Sequence, residues 1–173
     1  MAGLYIHIPF CKQACHYCNF HFSTNLEKKN AFISALKNEI LNQSDFINPT
    51  EKIETIYFGG GTPSLLNSDE LNEIFNSLHK HYSINKDAEI TLEANPDDIK
   101  QKMAKDWLSI GINRLSLGIQ SFDEDELKWM NRAHSAKHAK ECIDIIQDAG
   151  FENFSVDRSE EHTSELQSHS DLV

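Results

Sequence analysis

Three cysteines lie close together near the start of the chain: Cys11, Cys15 and Cys18. Thiols this close in sequence cannot cross-link distant parts of a fold, but they can share one metal centre. Three thiolates from one loop can hold three irons of a four-iron cluster and leave the fourth iron open to another ligand. The alternative is a zinc site, with His7, His16 or His21 as the fourth ligand.

A second segment that could bind a ligand is the run GGGTP at residues 59–63. Successive glycines remove every Cβ, so main-chain N–H and C=O groups can approach a ligand closely. The run lacks the lysine of a phosphate-binding loop and the spacing of a dinucleotide fingerprint. A tight turn without a ligand is the alternative, and the run alone does not decide between them.

The charge composition of the chain indicates which kinds of partner it can bind. The chain has 173 residues, with 16 basic and 27 acidic side chains and a net charge of -11. An acidic balance argues against a nucleic-acid or anionic-membrane surface, because both need a basic footprint. The early apolar run at residues 4–8 is too short for a signal peptide or a membrane span, so we expect a cytoplasmic protein.

The chain changes character after Asp157. Residues 1–157 read as one organised unit, the amino-terminal part of a domain, whereas residues 158–173 are polar and without aromatic side chains. The sequence of this tail resembles the translation of a sequencing-library adapter, and we expect it to be non-native, with the natural protein continuing beyond Asp157. A natural disordered acidic tail is the alternative, since its composition would look the same.

The organised unit alternates short strand patterns with helical ones, which predicts an α/β fold with a mostly parallel sheet. Helical apolar spacing fills the intervals between the strands, and it includes the fourth cysteine, Cys142, as a small buried side chain. The predicted strands are residues 4–8, 55–58, 89–94, 114–119 and 153–156, and the predicted helical stripes are residues 32–40, 71–78, 99–107 and 139–146.

These strands alternate apolar and polar side chains, whereas parallel strands covered on both faces are usually apolar throughout. We therefore expect a curved sheet, part of a TIM-type barrel, with helices on its convex face and a polar cavity on its concave face. The alternation directs Tyr5, Glu93, Gln120 and Asp157 into this cavity. A solvent-exposed antiparallel sheet is the alternative.

Five segments together resemble one family across residues 3–157: YIHIPFCKQACHYCNF, YFGGGTPS, LEANPDD, LSLGIQSFDEDELKWMNRAHS and FSVD. They are similar to the radical S-adenosylmethionine (radical SAM) family of oxygen-independent coproporphyrinogen III oxidases. The resemblance implies a (β/α)6 barrel, here truncated after its fifth strand.

The resemblance also implies a cofactor site. Cys11, Cys15 and Cys18 would hold a [4Fe-4S] cluster, and S-adenosylmethionine would bind the open iron and receive an electron from the cluster. The other residues that match cofactor-binding positions of the family are Tyr5, Tyr17, Gly60, Gly61, Thr62, Glu93, Gln120, Arg132 and Asp157.

Two departures separate the branches of this family. The oxidase branch has a further cysteine two residues after the third ligand, where this chain has Phe20, and a longer segment before the first ligand. Both departures favour the heme-chaperone branch. That branch implies heme or porphyrin as cargo, heme-acceptor proteins and an electron donor as partners, and membrane contact only through acceptors. Its heme-binding residues would lie in a carboxyl-terminal region that this chain lacks. Porphyrin oxidation and a zinc-stabilised binding module stay open as alternatives.

Overall fold

The computed structural model describes residues 2–158, which form one parallel sheet with helices between its strands. The five strands are β1 (Ala2–Ile8), β2 (Ile53–Gly60), β3 (Ile84–Ala94), β4 (Arg114–Gln120) and β5 (Phe154–Arg158). The five helices are α1 (Lys29–Asn42), α2 (Ser68–His81), α3 (Gln101–Ile110), α4 (Glu124–Trp129) and α5 (Ala136–Ala149). Short 3-10 turns span Ser44–Phe46, Pro63–Leu65 and Pro96–Asp98.

The strands lie in chain order, β1-β2-β3-β4-β5, and every neighbouring pair is parallel. The predicted α/β class with a parallel sheet is therefore confirmed, and the antiparallel alternative is wrong. The strands are longer than predicted, most clearly β3, which starts at Ile84 rather than at residue 89. The helix α4 is absent from the prediction because six residues are too few for a clear apolar stripe.

One hydrophobic core lies between the sheet and a row of four helices, in which α1 packs on α2, α2 on α3 and α3 on α5. The sheet contributes alternate apolar side chains such as Phe58 and Leu117, and the helices contribute their predicted stripes, with Trp107 fully buried. The opposite face of the sheet carries polar side chains. The sheet therefore has an apolar face that packs against the helices and a polar face that lines a cavity.

Local sequence signals set the ends of these helices. Asn67 and Glu70 form a capping box at the start of α2, in which each side chain accepts from the other residue's main-chain N–H, at 2.9 and 2.8 Å. Helices α3 and α5 end at Gly111 and Gly150 in left-handed conformations, which glycine adopts readily. The tail beyond Arg158 lies outside the described residues.

Candidate metal and cofactor site

The three cysteines lie on the connection between β1 and α1, in a segment without regular secondary structure. We call residues 11–18 the cysteine loop. Its base is closed by two main-chain hydrogen bonds, from Cys11 N to Ser23 O at 3.1 Å and from Ser23 N to Pro9 O at 2.8 Å. A tight turn follows, in which Cys18 N donates to Cys15 O at 3.2 Å. The sequence therefore delivers three thiols to one place at the end of β1.

One pocket collects most of the predicted site. It lies at the carboxyl ends of the strands, and all five strands or the loops that follow them contribute to its lining. This is the end of the sheet where barrel enzymes place their sites. The predicted residues that line it are Cys11, Cys15, Cys18, Tyr17, Gly60, Gly61, Thr62, Glu93, Gln120, Arg132 and Asp157.

Tyr5 is the predicted site residue that the structure does not bring into this lining. Its side chain is 59% exposed, and its ring stacks on Tyr57 with the centroids 6.0 Å apart. Its hydroxyl lies 3.2 Å from Nδ1 of His7. Tyr5 shares a face of the sheet with Tyr57, and its part in cofactor binding stays a prediction.

Arg132 connects four different parts of the pocket. Its Nη1 donates to Sγ of Cys15 at 3.3 Å and to the hydroxyl of Tyr17 at 3.1 Å. Its Nη2 donates to Oδ1 of Asn95 at 2.6 Å and to the carbonyl of Gly118 at 2.5 Å. The guanidinium thus places a fixed positive charge beside a candidate metal ligand. Burial raises the pKa of Tyr17 to about 12, so its hydroxyl stays protonated.

A second chain of hydrogen bonds reaches Cys11. Nδ2 of Asn95 donates to Oγ1 of Thr62 at 3.2 Å, and Oγ1 of Thr62 donates to Sγ of Cys11 at 3.5 Å. Burial raises the pKa of the Cys11 thiol; the neighbouring thiols Cys18 and Cys15 add to the rise, and the bond from Thr62 opposes it. Asn95 was missing from the predicted site residues, although it lies in the quoted segment LEANPDD.

Glu93 links the middle of the sheet to the glycine run. Its carboxylate accepts from the hydroxyl of Tyr57 at 2.8 Å and from the main-chain N–H of Gly60 at 3.1 Å. Burial raises the pKa of Glu93, and the nearby Asp157 adds to this rise, while the two hydrogen bonds oppose it. Glu93 is therefore a half-buried acid whose remaining surface lines the pocket.

The glycines at the end of β2 are required first for packing within the chain. Gly60 has a left-handed φ of 111°, and a Cβ there would lie 2.5 Å from the ring of His7. A Cβ on Gly61 would lie 2.6 Å from the carbonyl oxygen of Phe10 and 2.9 Å from that of Ile8. The glycine run therefore lets β2 end directly against the start of the cysteine loop, with both glycines on the pocket wall.

The last two strands contribute a hydroxyl, an amide and a carboxylate. Oγ of Ser116 donates to Oδ2 of Asp157 at 2.9 Å, which fixes that carboxylate on the concave face. Gln120 ends β4 in a left-handed conformation, with φ of 67°, and turns the chain at the pocket rim. A non-glycine residue in this conformation is uncommon and is found where the surroundings hold it.

An ion-pair group at the pocket mouth was not predicted. Nζ of Lys12 pairs with Oδ2 of Asp97 at 2.6 Å and also contacts Oδ1 of Asp98. Oγ of Ser64 donates to Asp98 at 2.7 Å. Burial lowers the pKa of Lys12, but the hydrogen bonds to the two carboxylates outweigh it and the pKa rises. The sequence around Lys12 does not indicate its partners, because Asp97 lies 85 residues further along the chain.

The donor set of this pocket fits an iron-sulfur cluster and an anionic ligand group. Three thiols line the pocket, which is the ligand set of a cluster with one open iron. Within residues 2–158 no three His, Cys, Asp or Glu side chains converge closely enough to hold a single metal ion. Nε of Arg132 is buried without a hydrogen-bond partner, and an anion in the pocket would satisfy such a donor.

Comparison with known families agrees with the fold and the pocket. The radical SAM superfamily matches residues 5–159, and this chain belongs to that superfamily. Among curated relatives, the heme chaperone HemW of Bacillus subtilis is 34% identical over 159 residues, covering 91% of this chain and 42% of the relative. The heme chaperone HemW of Escherichia coli is 35% identical over 157 residues, covering 90% and 41%. The chain thus spans about two fifths of these relatives.

Among solved structures, coproporphyrinogen III oxidase (HemN) from Escherichia coli, a radical SAM enzyme, is similar to this chain with a TM-score of 0.83 and 27% identity. The match covers 90% of this chain and 36% of that enzyme. The predicted fold of a partial radical SAM barrel is therefore confirmed. None of the helices between residues 2 and 158 is long and apolar enough to cross a membrane.

Proposed function

We propose that this chain binds a [4Fe-4S] cluster and S-adenosylmethionine, and that the full-length protein is a cytoplasmic heme chaperone. The observation that carries the proposal is the shared pocket of Cys11, Cys15 and Cys18 with Arg132. The three thiolates bind three irons, and the open iron is left for the amino-acid part of S-adenosylmethionine. When bound, the two groups supply one-electron cleavage of a carbon–sulfur bond.

The residues of the pocket divide into groups that bind and groups that orient. Arg132 holds the carboxylate end of S-adenosylmethionine and neutralises part of the charge beside Cys15. Glu93 fixes the main chain of the glycine run through Gly60, and Asp157 presents a second carboxylate from β5. Phe20 lies on the pocket wall with most of its side chain exposed. The contacts that support these roles are all made within residues 2–158.

Heme is the proposed cargo because the curated relatives at 34% and 35% identity are heme chaperones. Porphyrin oxidation is the second candidate, since an oxygen-independent coproporphyrinogen III oxidase of Bradyrhizobium diazoefficiens is also 32% identical over 160 residues. Phe20 favours the chaperone, because the resemblance gives the oxidase a cysteine there. Heme-acceptor proteins and an electron donor are the partners that this proposal requires.

The test is metal and sulfide analysis of the full-length protein after anaerobic reconstitution. We expect roughly four irons and four sulfides per chain, lost in Cys15→Ala and retained in the matched control Cys142→Ala. Addition of S-adenosylmethionine should change the cluster spectrum. Stoichiometric zinc without iron would overturn the cluster assignment. Heme binding without turnover of coproporphyrinogen supports the chaperone, and turnover without stable heme binding supports the oxidase.

A further inference from the structure

The end of α4 and the three residues after it hold the tip of the cysteine loop. We call residues 129–132 the clasp. Four of its hydrogen bonds involve main-chain carbonyls: His16 Nδ1 donates to Trp129 O at 2.7 Å, His16 N to Met130 O at 3.1 Å, Gln13 Nε2 to Asn131 O at 2.5 Å, and Asn131 Nδ2 to Ala14 O at 2.7 Å. The fifth is the bond from Arg132 to Cys15 described above.

The geometry of this helix end explains why three successive carbonyls are available. Arg132 N donates to Leu127 O at 2.9 Å and Asn131 N donates to Lys128 O at 3.0 Å, which is the Schellman pattern of helix termination. This pattern satisfies the carbonyls of Leu127 and Lys128 within the helix. The next three carbonyls, on residues 129–131, then accept from the cysteine loop instead.

The Schellman pattern requires a residue in the left-handed conformation, and here that residue is Asn131, with φ of 56°. Asparagine tolerates this conformation better than most residues, whereas alanine does not. The same backbone turn directs the side chain of Arg132 back into the pocket, towards Cys15 and Asn95. One backbone conformation thus sets both the acceptors for the loop and the direction of the guanidinium.

We infer that Asn131 is a positioning residue: its left-handed conformation, rather than its side chain, holds the cysteine loop in the form that receives the cluster. This inference rests on the proposed function for its meaning. The order of the cysteine loop can be tested without any metal, because all five contacts are made by the polypeptide itself. A loop held in place before the cluster arrives avoids the entropy cost of ordering at binding.

The experiment compares three variants of the full-length protein. Asn131→Gly keeps the left-handed conformation and loses only the bond to Ala14, whereas Asn131→Ala opposes the conformation itself. Gly111→Ala is the control, since it places alanine at another positive φ, 111°, at the end of α3, where a Cβ would meet nothing within 4 Å. The readouts are amide hydrogen exchange of residues 13–17 in the metal-free protein, and the rate of iron loss to a chelator from the reconstituted protein.

We expect both rates to rise on the order of fivefold in Asn131→Ala and to stay within about twofold of the wild type in Asn131→Gly and Gly111→Ala. Equal rates in Asn131→Ala and the wild type would overturn the inference, as would an equal rise in Asn131→Gly or in the control. If Asn131→Ala yields too little folded protein, His16→Ala breaks the loop side of the clasp, and unchanged exchange there overturns it as well. A wild type that takes up no iron counts against the proposed function, while the exchange data still decide the role of Asn131.

Discussion

The guanidinium of Arg132 donates a hydrogen bond from Nη1 to the sulfur of Cys15 across 3.3 Å. The two residues are 117 positions apart in the chain, and the clasp that follows α4 brings Arg132 to the cysteine loop. A positive donor at one ligand sulfur stabilises the more negative, reduced state of a cluster. With the proposed cluster bound, this contact would link the fold to the reduction potential of the site.

Replacing Arg132 with glutamine should lower the cluster's reduction potential by about 65 to 130 mV, the one-electron equivalent of one charged hydrogen bond. A redox titration followed by electron paramagnetic resonance measures this shift. Arg114→Gln is the control, because Arg114 is the first residue of β4 and its guanidinium bonds to Thr91 and Ser155 rather than to a cysteine. A potential unchanged in Arg132→Gln would show that this contact does not tune the cluster.

Replacing Glu93 with glutamine should weaken S-adenosylmethionine binding about tenfold, because one of the donors on Tyr57 and Gly60 then faces an amide N–H instead of a carboxylate oxygen. The affinity is measured from the change in the cluster spectrum as S-adenosylmethionine is added. Glu89→Gln is the control, since Glu89 is exposed and accepts only a 3.3 Å bond from Thr91. Equal affinities in the two variants would remove Glu93 from the site.

Lys12→Met should lower the free energy of unfolding by on the order of 1 kcal/mol. Lys12 is partly exposed, which limits its contribution, but its loss leaves the buried carboxylate of Asp98 without a cation. Lys37→Met removes an exposed ion pair with Glu73 and should change stability by only a few tenths of a kcal/mol. Urea unfolding of both variants compares them, and a larger loss in Lys37→Met would contradict the burial argument.

Stability should fall as the pH is lowered from 6.5 towards 4, because of His134. This imidazole is 3% exposed, Nε2 donates to Ile119 O at 2.9 Å, and burial lowers its pKa to about 4, with the charge of Arg132 adding to the effect. In the unfolded chain His134 is protonated below about pH 6.5, whereas in the folded chain it is protonated only below about pH 4. Between these values the unfolded chain binds more protons, so lowering the pH favours unfolding.

The His134→Gln variant keeps a donor for Ile119 and removes the titrating group. Its free energy of unfolding should therefore depend less on pH between 6.5 and 4 than that of the wild type. Urea unfolding at several pH values gives both curves. Parallel curves for the two proteins would exclude His134 as the source of the dependence.

The sequence predicted the fold well because its signals are local. Alternating strands, apolar stripes and the terminal residues Gly111 and Gly150 each depend on neighbours a few positions away. The helix α4 was missed because its six residues carry one buried side chain, Leu127, and no stripe. A helix of fewer than two turns has too few apolar positions to show a helical period.

The site was predicted where strand alternation or motif resemblance marked a residue, and eleven of those positions line the pocket. Tyr5 lies outside this lining, and its role stays a prediction. Asn95 and Lys12 were missed because their roles come from partners 37 and 85 positions away, which no local pattern reveals. The face on which a strand residue lies follows from the local alternation, whereas its level relative to neighbouring strands depends on the register between them.

The large separation between the cysteine loop and the clasp has a consequence during synthesis. The ribosome releases Cys15 well before Arg132, and at 5 to 20 residues per second the delay is roughly 6 to 23 s. During this interval the cysteine loop can form the bonds at its base and the bond from Thr62 to Cys11, but its tip has no clasp. The contacts that hold the tip of the cysteine loop therefore form last, after synthesis has passed Arg132.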